Sequence, residues 1–191
     1  MKTYKQIIKK PSLEISYSEG CESPRSWTTL GHFITIDRRY ESPDKNTELE
    51  AIIKGGGDIC NSQAEHIEYI KKHYQSEKVL AVYPIVKYEH GGVSYSLGTK
   101  HGFDYSNNGF YVVTNKKQKE LGTSKKYFEE AIKDELEVYN KYVNGEVLQY
   151  CLYDENGDFV DSCGGFYSID EIRESLPKEW ENEDLNNYFK A

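Results

Sequence analysis

Residues 146–163 read EVLQYCLYDENGDFVDSC, two β-rich runs on either side of Asp154-Glu155-Asn156-Gly157-Asp158. Asn-Gly between such runs is the strongest short-range hairpin signal, because both central positions of a type I′ turn need positive φ. A type I′ antiparallel hairpin is therefore predicted here, and the neighbouring segments are read outward from it.

Before the hairpin, residues 124–143 place Phe128, Ala131, Ile132, Leu136, Tyr139 and Val143 at helical spacing, with Gly145 as C-cap, so this is the longest predicted helix. After the hairpin, Ser168 and Glu171 form a capping box opening the helix SIDEIRESL, which ends before Pro177; a last short helix covers residues 183–190. Upstream, strands are predicted over residues 4–8, 13–17, 31–36, 93–97 and 109–114. Residues 79–86 (VLAVYPIV) form the most apolar run and read as a strand with a bulge or edge at Pro84, which cannot donate to a ladder. Thr47 caps a helix that stops at Gly55-Gly56-Gly57, and Ser62 with Glu65 caps a second helix whose stripe is Ile67, Ile70 and Tyr74. The order fits an α+β fold, a mostly antiparallel sheet packed with one long helix and several short ones. No repeat or Pro/Ser-rich linker divides the chain, so residues 1–191 read as one domain with a distinctive C-terminal segment, 154–191.

That segment is distinctive by charge. The 191 residues carry 24 Lys+Arg against 32 Asp+Glu, a net charge of −8, which excludes a generally basic nucleic-acid binder. Residues 1–153 are balanced, and residues 154–191 hold 3 basic and 11 acidic side chains, so the whole imbalance sits at one end. The 17 Tyr, 7 Phe and 2 Trp argue against intrinsic disorder. No apolar run of membrane-spanning length and no signal-peptide h-region is seen, so a cytoplasmic protein without a membrane partner is expected. Four scattered cysteines without CxxC spacing indicate neither a zinc ribbon nor a redox pair, and no cofactor is implied.

Five features bear on chemistry. Glu89, His90, His101 and Asp104 place two imidazoles and two carboxylates within sixteen residues; His90, His101 and Asp104 are the alternative metal or catalytic cluster, as in a metal-assisted hydrolase of a nucleotide or nucleic acid. Their spacing matches no established metal signature, and the flanking glycines fit turns in which His and Asp bond the local backbone. Lys116, Lys117, Lys119, Lys125 and Lys126 read as a solvated loop with a helix start. Asp154, Asn156 and Asp158 imitate the start of a calcium loop, but Gly157 comes one place early and Gly165 stands where the bidentate Glu belongs. Cys163 reads as a buried hairpin thiol, without an identifiable His partner. The acidic end is the largest signal: Asp170, Glu171, Glu174, Glu179, Trp180, Glu181, Glu183 and Asp184 form the candidate binding surface, carboxylates with aromatic anchors that dock on a basic groove.

Tyr88-Glu-His-Gly-Gly-Val-Ser-Tyr-Ser, Phe103-Asp-Tyr-Ser-Asn-Asn-Gly-Phe-Tyr-Val-Val, Tyr139-Asn-Lys-Tyr-Val-Asn-Gly-Glu-Val, Asp161-Ser-Cys and Gly165-Phe-Tyr resemble a family of short proteins from phages and mobile elements of Firmicutes. The resemblance covers residues 88–172; Gly164 stands where that pattern usually has Trp. In size and acidity the chain is similar to anti-CRISPR proteins. The resemblance implies a counter-defence protein whose partner is Cas9 with its guide RNA, blocked by binding and not by catalysis, with the acidic end competing with nucleic acid. A regulatory interaction protein of the phage is the other non-enzymatic expectation, and oligomeric state stays open.

Overall fold

The computed structural model describes residues 11–37 and 39–190, so the strand expected over residues 4–8 lies outside the described residues. In chain order the elements are β1 (Ser12–Tyr17), β2 (Gly31–Thr35), α1 (Thr47–Ile59), α2 (Gln63–His73), β3 (Val79–Glu89), β4 (Val93–Leu97), β5 (Tyr105–Thr114), α3 (Asn115–Leu121), α4 (Phe128–Val143), β6 (Leu148–Tyr153), β7 (Phe159–Phe166) and α5 (Ile169–Ser175), joined in places by short 3-10 turns. All strand pairings between these elements are antiparallel, and the fold is α+β as expected. Residues 1–191 read as one domain in the sequence; the described residues pack as two compact units, one within residues 23–140 and one of residues 11–22 with 141–190.

The first of these units is built on the sheet β2-β5-β3-β4. Its central strand β5 is buried at every position from Gly109 to Thr114, because both faces are covered. Phe110 and Val112 join Leu49 and Ile53 of α1 and Ile70 of α2 in one apolar cluster. On the alternate positions, Tyr111 stacks near Phe33, whose ring also meets Tyr139 of α4 edge-on at 5.6 Å. Phe128, Ile132, Leu136 and Tyr139 are the buried residues of α4 and recur at helical spacing, so one stripe faces the core.

Four local expectations are corrected in this unit. The helix begun near Thr47 is capped by Asn46, whose side chain accepts from Leu49 N, and it runs through the three glycines to Ile59. A helix tolerates glycine at a cost of about 1 kcal/mol each, and here α2 packs so closely on α1 that Gly56 has no room for a side chain. Pro84 is neither at a bulge nor on an edge strand: it pairs with Phe110, and the register shifts lie between Val79 and Ala81 and between Ile85 and Lys87. Its carbonyl accepts from Gly98 just past the end of β4, so its missing N–H faces a position where the neighbouring strand has already stopped. Lys116, Lys117 and Lys119 lie in α3, a short helix capped by Thr114 and closed by Gly122 at φ 74, and not in a loop.

The second unit is the sheet β1-β6-β7 with α5 and the C-terminal turns. Leu148, Tyr150 and Leu152 of β6 point inward with Leu13 and Ile15 of β1, and Ile172, Leu176, Trp180 and Leu185 cover them. Gly145, at φ 71, ends the long helix as expected, with Glu146 N bonding the Lys141 carbonyl. The hairpin forms, but its turn differs from type I′: only Gly157 has positive φ. Asp154 Oδ1 accepts from the N–H of Asn156 (2.8 Å) and of Asp158 (2.9 Å), and Gly157 N bonds the Asp154 carbonyl. This is a three-residue loop, whose one left-handed position takes the glycine. Cys163 is exposed and not buried, because β7 is an edge strand paired only with β6 and its residues from Phe159 to Gly165 are all exposed.

Candidate functional site

The acidic surface is assembled by α5 and the turns after it. Ser168 accepts from Glu171 N as expected, while Glu171 Oε2 accepts from Tyr167 N at 2.6 Å, one residue before the cap where a strict capping box would bond Ser168 N; the two together set the start of α5. Pro177 stops the helix and a 3-10 turn, Lys178–Trp180, follows. Trp180, expected as an exposed aromatic anchor, is 5% exposed inside the core, T-shaped on Tyr188. It anchors the acidic segment to its own sheet instead of offering a contact to a partner. Asp170, Glu171, Glu174, Glu179, Glu181, Glu183 and Asp184 are all exposed.

The basic residues of this stretch do not neutralise that surface. One guanidinium nitrogen of Arg173 donates to the backbone carbonyls of Glu183 (2.8 Å), Glu181 (2.9 Å) and Trp180 (3.4 Å), clipping the turn onto α5. Lys190 pairs with Glu14. Asp184 caps the final 3-10 turn, Leu185–Tyr188, and Glu183 accepts from the Tyr188 hydroxyl. Asp170, Glu174, Glu179 and Glu181 make no ion pair among the described residues. In the adjoining turn, the backbone N–H groups of Asp158 and Asn156 hold the Asp154 carboxyl below its ordinary value.

The histidine cluster is only partly brought together. His90 Nδ1 lies 3.7 Å from Asp104 Oδ2, and Glu89 N bonds the Asp104 carbonyl across two adjoining strands. His101 lines a separate hollow of about 430 Å³ beside Cys60, Ser62 and His66. Among the described residues, no group of three or more His, Cys, Asp or Glu is close enough to hold a metal ion.

A larger open cleft of about 1150 Å³ lies in the same unit, with Asp37, Lys87, Glu89 and Asp104 along it and the fully exposed Phe103 at its rim. Lys87 is 7% exposed; its ammonium contacts Asp37, lies 3.1 Å from Glu89 Oε2 and sits 4.5 Å from the centre of the Tyr40 ring. Burial opposes its charge, but hydrogen bonds to Asp37 and Glu89 outweigh that and hold its pKa above the ordinary lysine value. Arg39 and Tyr40 complete the shell around Glu89 at 3.0 and 3.1 Å. A lysine so fully partnered is a structural cation and offers no free amine for chemistry.

No family model, curated protein or solved structure matches the chain. Function is therefore argued from the sites themselves. The Asp37–Lys87–Glu89 group was not singled out in the sequence, although one signal exists: Lys87 follows Ile85 by two residues in an apolar run, and strand periodicity turns both the same way. Arg25 with Asp44 and Glu135 left no such signal, since the partners stand 19 and 110 residues apart.

Proposed function

We propose that the protein works by binding, presenting the carboxylate surface of residues 170–184 to a positively charged nucleic-acid groove of a partner protein, and that in a bacterial host cell this partner is Cas9 with its guide RNA. One observation carries the reading: seven exposed carboxylates lie along α5 and the following turns while Arg173, the one cation among them besides Lys178, donates to backbone carbonyls. A surface of one sign speeds association with a groove of the other sign and competes with phosphates for it. No catalytic residue is needed, and neither a cofactor nor a membrane enters the reading. The resemblance to phage and mobile-element proteins supports the choice of Cas9.

The test is retention of purified Cas9, with and without guide RNA, on the immobilised protein. Retention at low salt with release as ionic strength rises is expected, because the exposed charges that drive it are screened over about 10 Å at 0.1 M salt. Absence of retention at low salt would overturn the reading.

A further inference from the structure

Three of the four outer strand edges in the two sheets are closed by their own unit. On β4, Tyr95 N donates to Asn140 Oδ1 (2.7 Å) and its carbonyl accepts from Asn140 Nδ2 (3.0 Å), so a side-chain amide occupies the place of a next strand. On β2, Phe33 N donates to Asp44 Oδ2 (2.7 Å), Asp44 N returns to the Phe33 carbonyl (3.0 Å), and Thr35 N donates to Ser42 Oγ (3.2 Å). On β1, Lys190 N donates to the Ile15 carbonyl at 2.7 Å beside a parallel bridge to Phe189. An edge partnered in this way is a poorer template for another chain.

β7 is the exception. Every residue from Phe159 to Gly165 is exposed, including Phe159 at 62% and Val160 at 55%. The outer edge has no backbone partner among the described residues; Ser162 N is met only by the carboxylate of the preceding Asp161, at 2.8 Å. The charge beside it is predominantly negative, with Arg173 of α5 turned to the backbone carbonyls of the following turn. The turn carries Asp154, Glu155 and Asp158, the strand carries Asp161, and α5, which packs on β6 and β7, carries further exposed carboxylates.

We infer that β7 is a docking edge that accepts an extended Lys- or Arg-bearing segment of a partner protein as an added antiparallel or parallel strand. Backbone hydrogen bonds along an edge supply affinity without regard to sequence, and alternate side chains select the partner. A second copy of the chain is disfavoured as the occupant, since it would set its own Asp161 and acidic turn against these carboxylates. The charge of the occupant rests on the acidic-surface reading above, whereas the addition of a strand does not.

The test uses the full chain and a fluorescein-labelled synthetic peptide of alternating Lys and Thr. Expected are saturable binding, slowed amide exchange within residues 159–166, and binding at least tenfold weaker when alternate peptide nitrogens are methylated or when Val160→Lys puts a cation on the edge. Equal binding of the methylated peptide, or unchanged exchange in β7, overturns strand addition and leaves the acidic-surface reading standing. Equal binding of a Glu/Thr peptide overturns the cationic occupant. Sedimentation showing a dimer that Val160→Lys dissociates assigns the edge to a second copy and overturns the proposal. Charge reversal at Glu174, Glu179 and Glu181 that abolishes Cas9 retention but spares the β7 protection separates the two claims.

Discussion

Gly56 of α1 lies directly against the imidazole of His66 on α2: a Cβ added to Gly56 would fall 2.5 Å from His66 Cδ2 and 2.6 Å from Nε2. The ring has little freedom to withdraw, because Nε2 is 2.8 Å from the Ile53 carbonyl oxygen and the ring packs edge-on against Phe110. Replacing helical glycine by alanine ordinarily stabilises by about 0.5–1 kcal/mol. That gain is expected for Gly57→Ala, whose Cβ would meet nothing nearer than 3.9 Å. Gly56→Ala is expected to have the opposite sign. Urea unfolding of the two variants checks this, and a gain at both positions would show that α1 and α2 do not approach as described.

Arg25 makes a second internal test. Its side chain is 4% exposed; Nε and Nη2 donate to Asp44 at 2.9 and 2.7 Å, Nη1 donates to Glu135 at 2.6 Å, and Nη2 also meets the Gly31 carbonyl. Burial works against the charge, and the hydrogen bond and proximity to Asp44 overcome it. Arg25→Met leaves two carboxylates without their cation and is expected to cost about 3–5 kcal/mol. The exposed Arg39, 3.0 Å from Glu89 with 71% of its side chain accessible, is the control: Arg39→Met is expected to cost about 0–1 kcal/mol. Equal losses in thermal unfolding would refute the distinction.

The buried imidazoles give stability a direction with pH. Burial pushes His66 below 6.5 despite its bond to the Ile53 carbonyl, and pushes His32 down despite Glu77 at 3.6 Å. Below pH 6.5 the unfolded chain therefore binds more protons than the folded one. Stability is complete above 6.5 and falls as pH drops from there towards the folded values. Asp37 and Glu77, held down by Lys87 and by Thr114, withdraw their share only at lower pH, from about 4.5 downward for Glu77. Replacing His66 by Gln should flatten the upper arm and leave the acid arm in place. Imidazole titration by NMR measures the same shifts, and midpoints at or above 6.5 would contradict the burial.

What the sequence made legible was periodic or capped. The long helix, the two Ser-x-x-Glu helix starts and the hairpin are local patterns, since their hydrogen bonds join residues a few places apart, and they sit where spacing put them. The glycine run misled because its cost is local while the reason for it, close contact with His66, comes from another helix. Trp180 misled in the same way: it stands between glutamates, and only the folded sheet shows that Leu13, Ile15 and Leu152 enclose it. The exposed carboxylates around it were legible because charge alone keeps such residues outside. Closure of three strand edges by Asn140, Asp44 and the C-terminal residues had no local signature, so the bare β7 edge emerges only by contrast.

The most direct measurement of the central claim is DNA cleavage by Cas9 with guide RNA at excess of this protein, compared with the variant carrying Glu174→Lys, Glu179→Lys and Glu181→Lys. These three side chains are exposed and outside the core, so the variant is expected to fold. Suppressed cleavage by the native chain, relieved at least tenfold by the triple reversal, is the expected result; full cleavage with the native chain, or equal suppression by the variant, would contradict it.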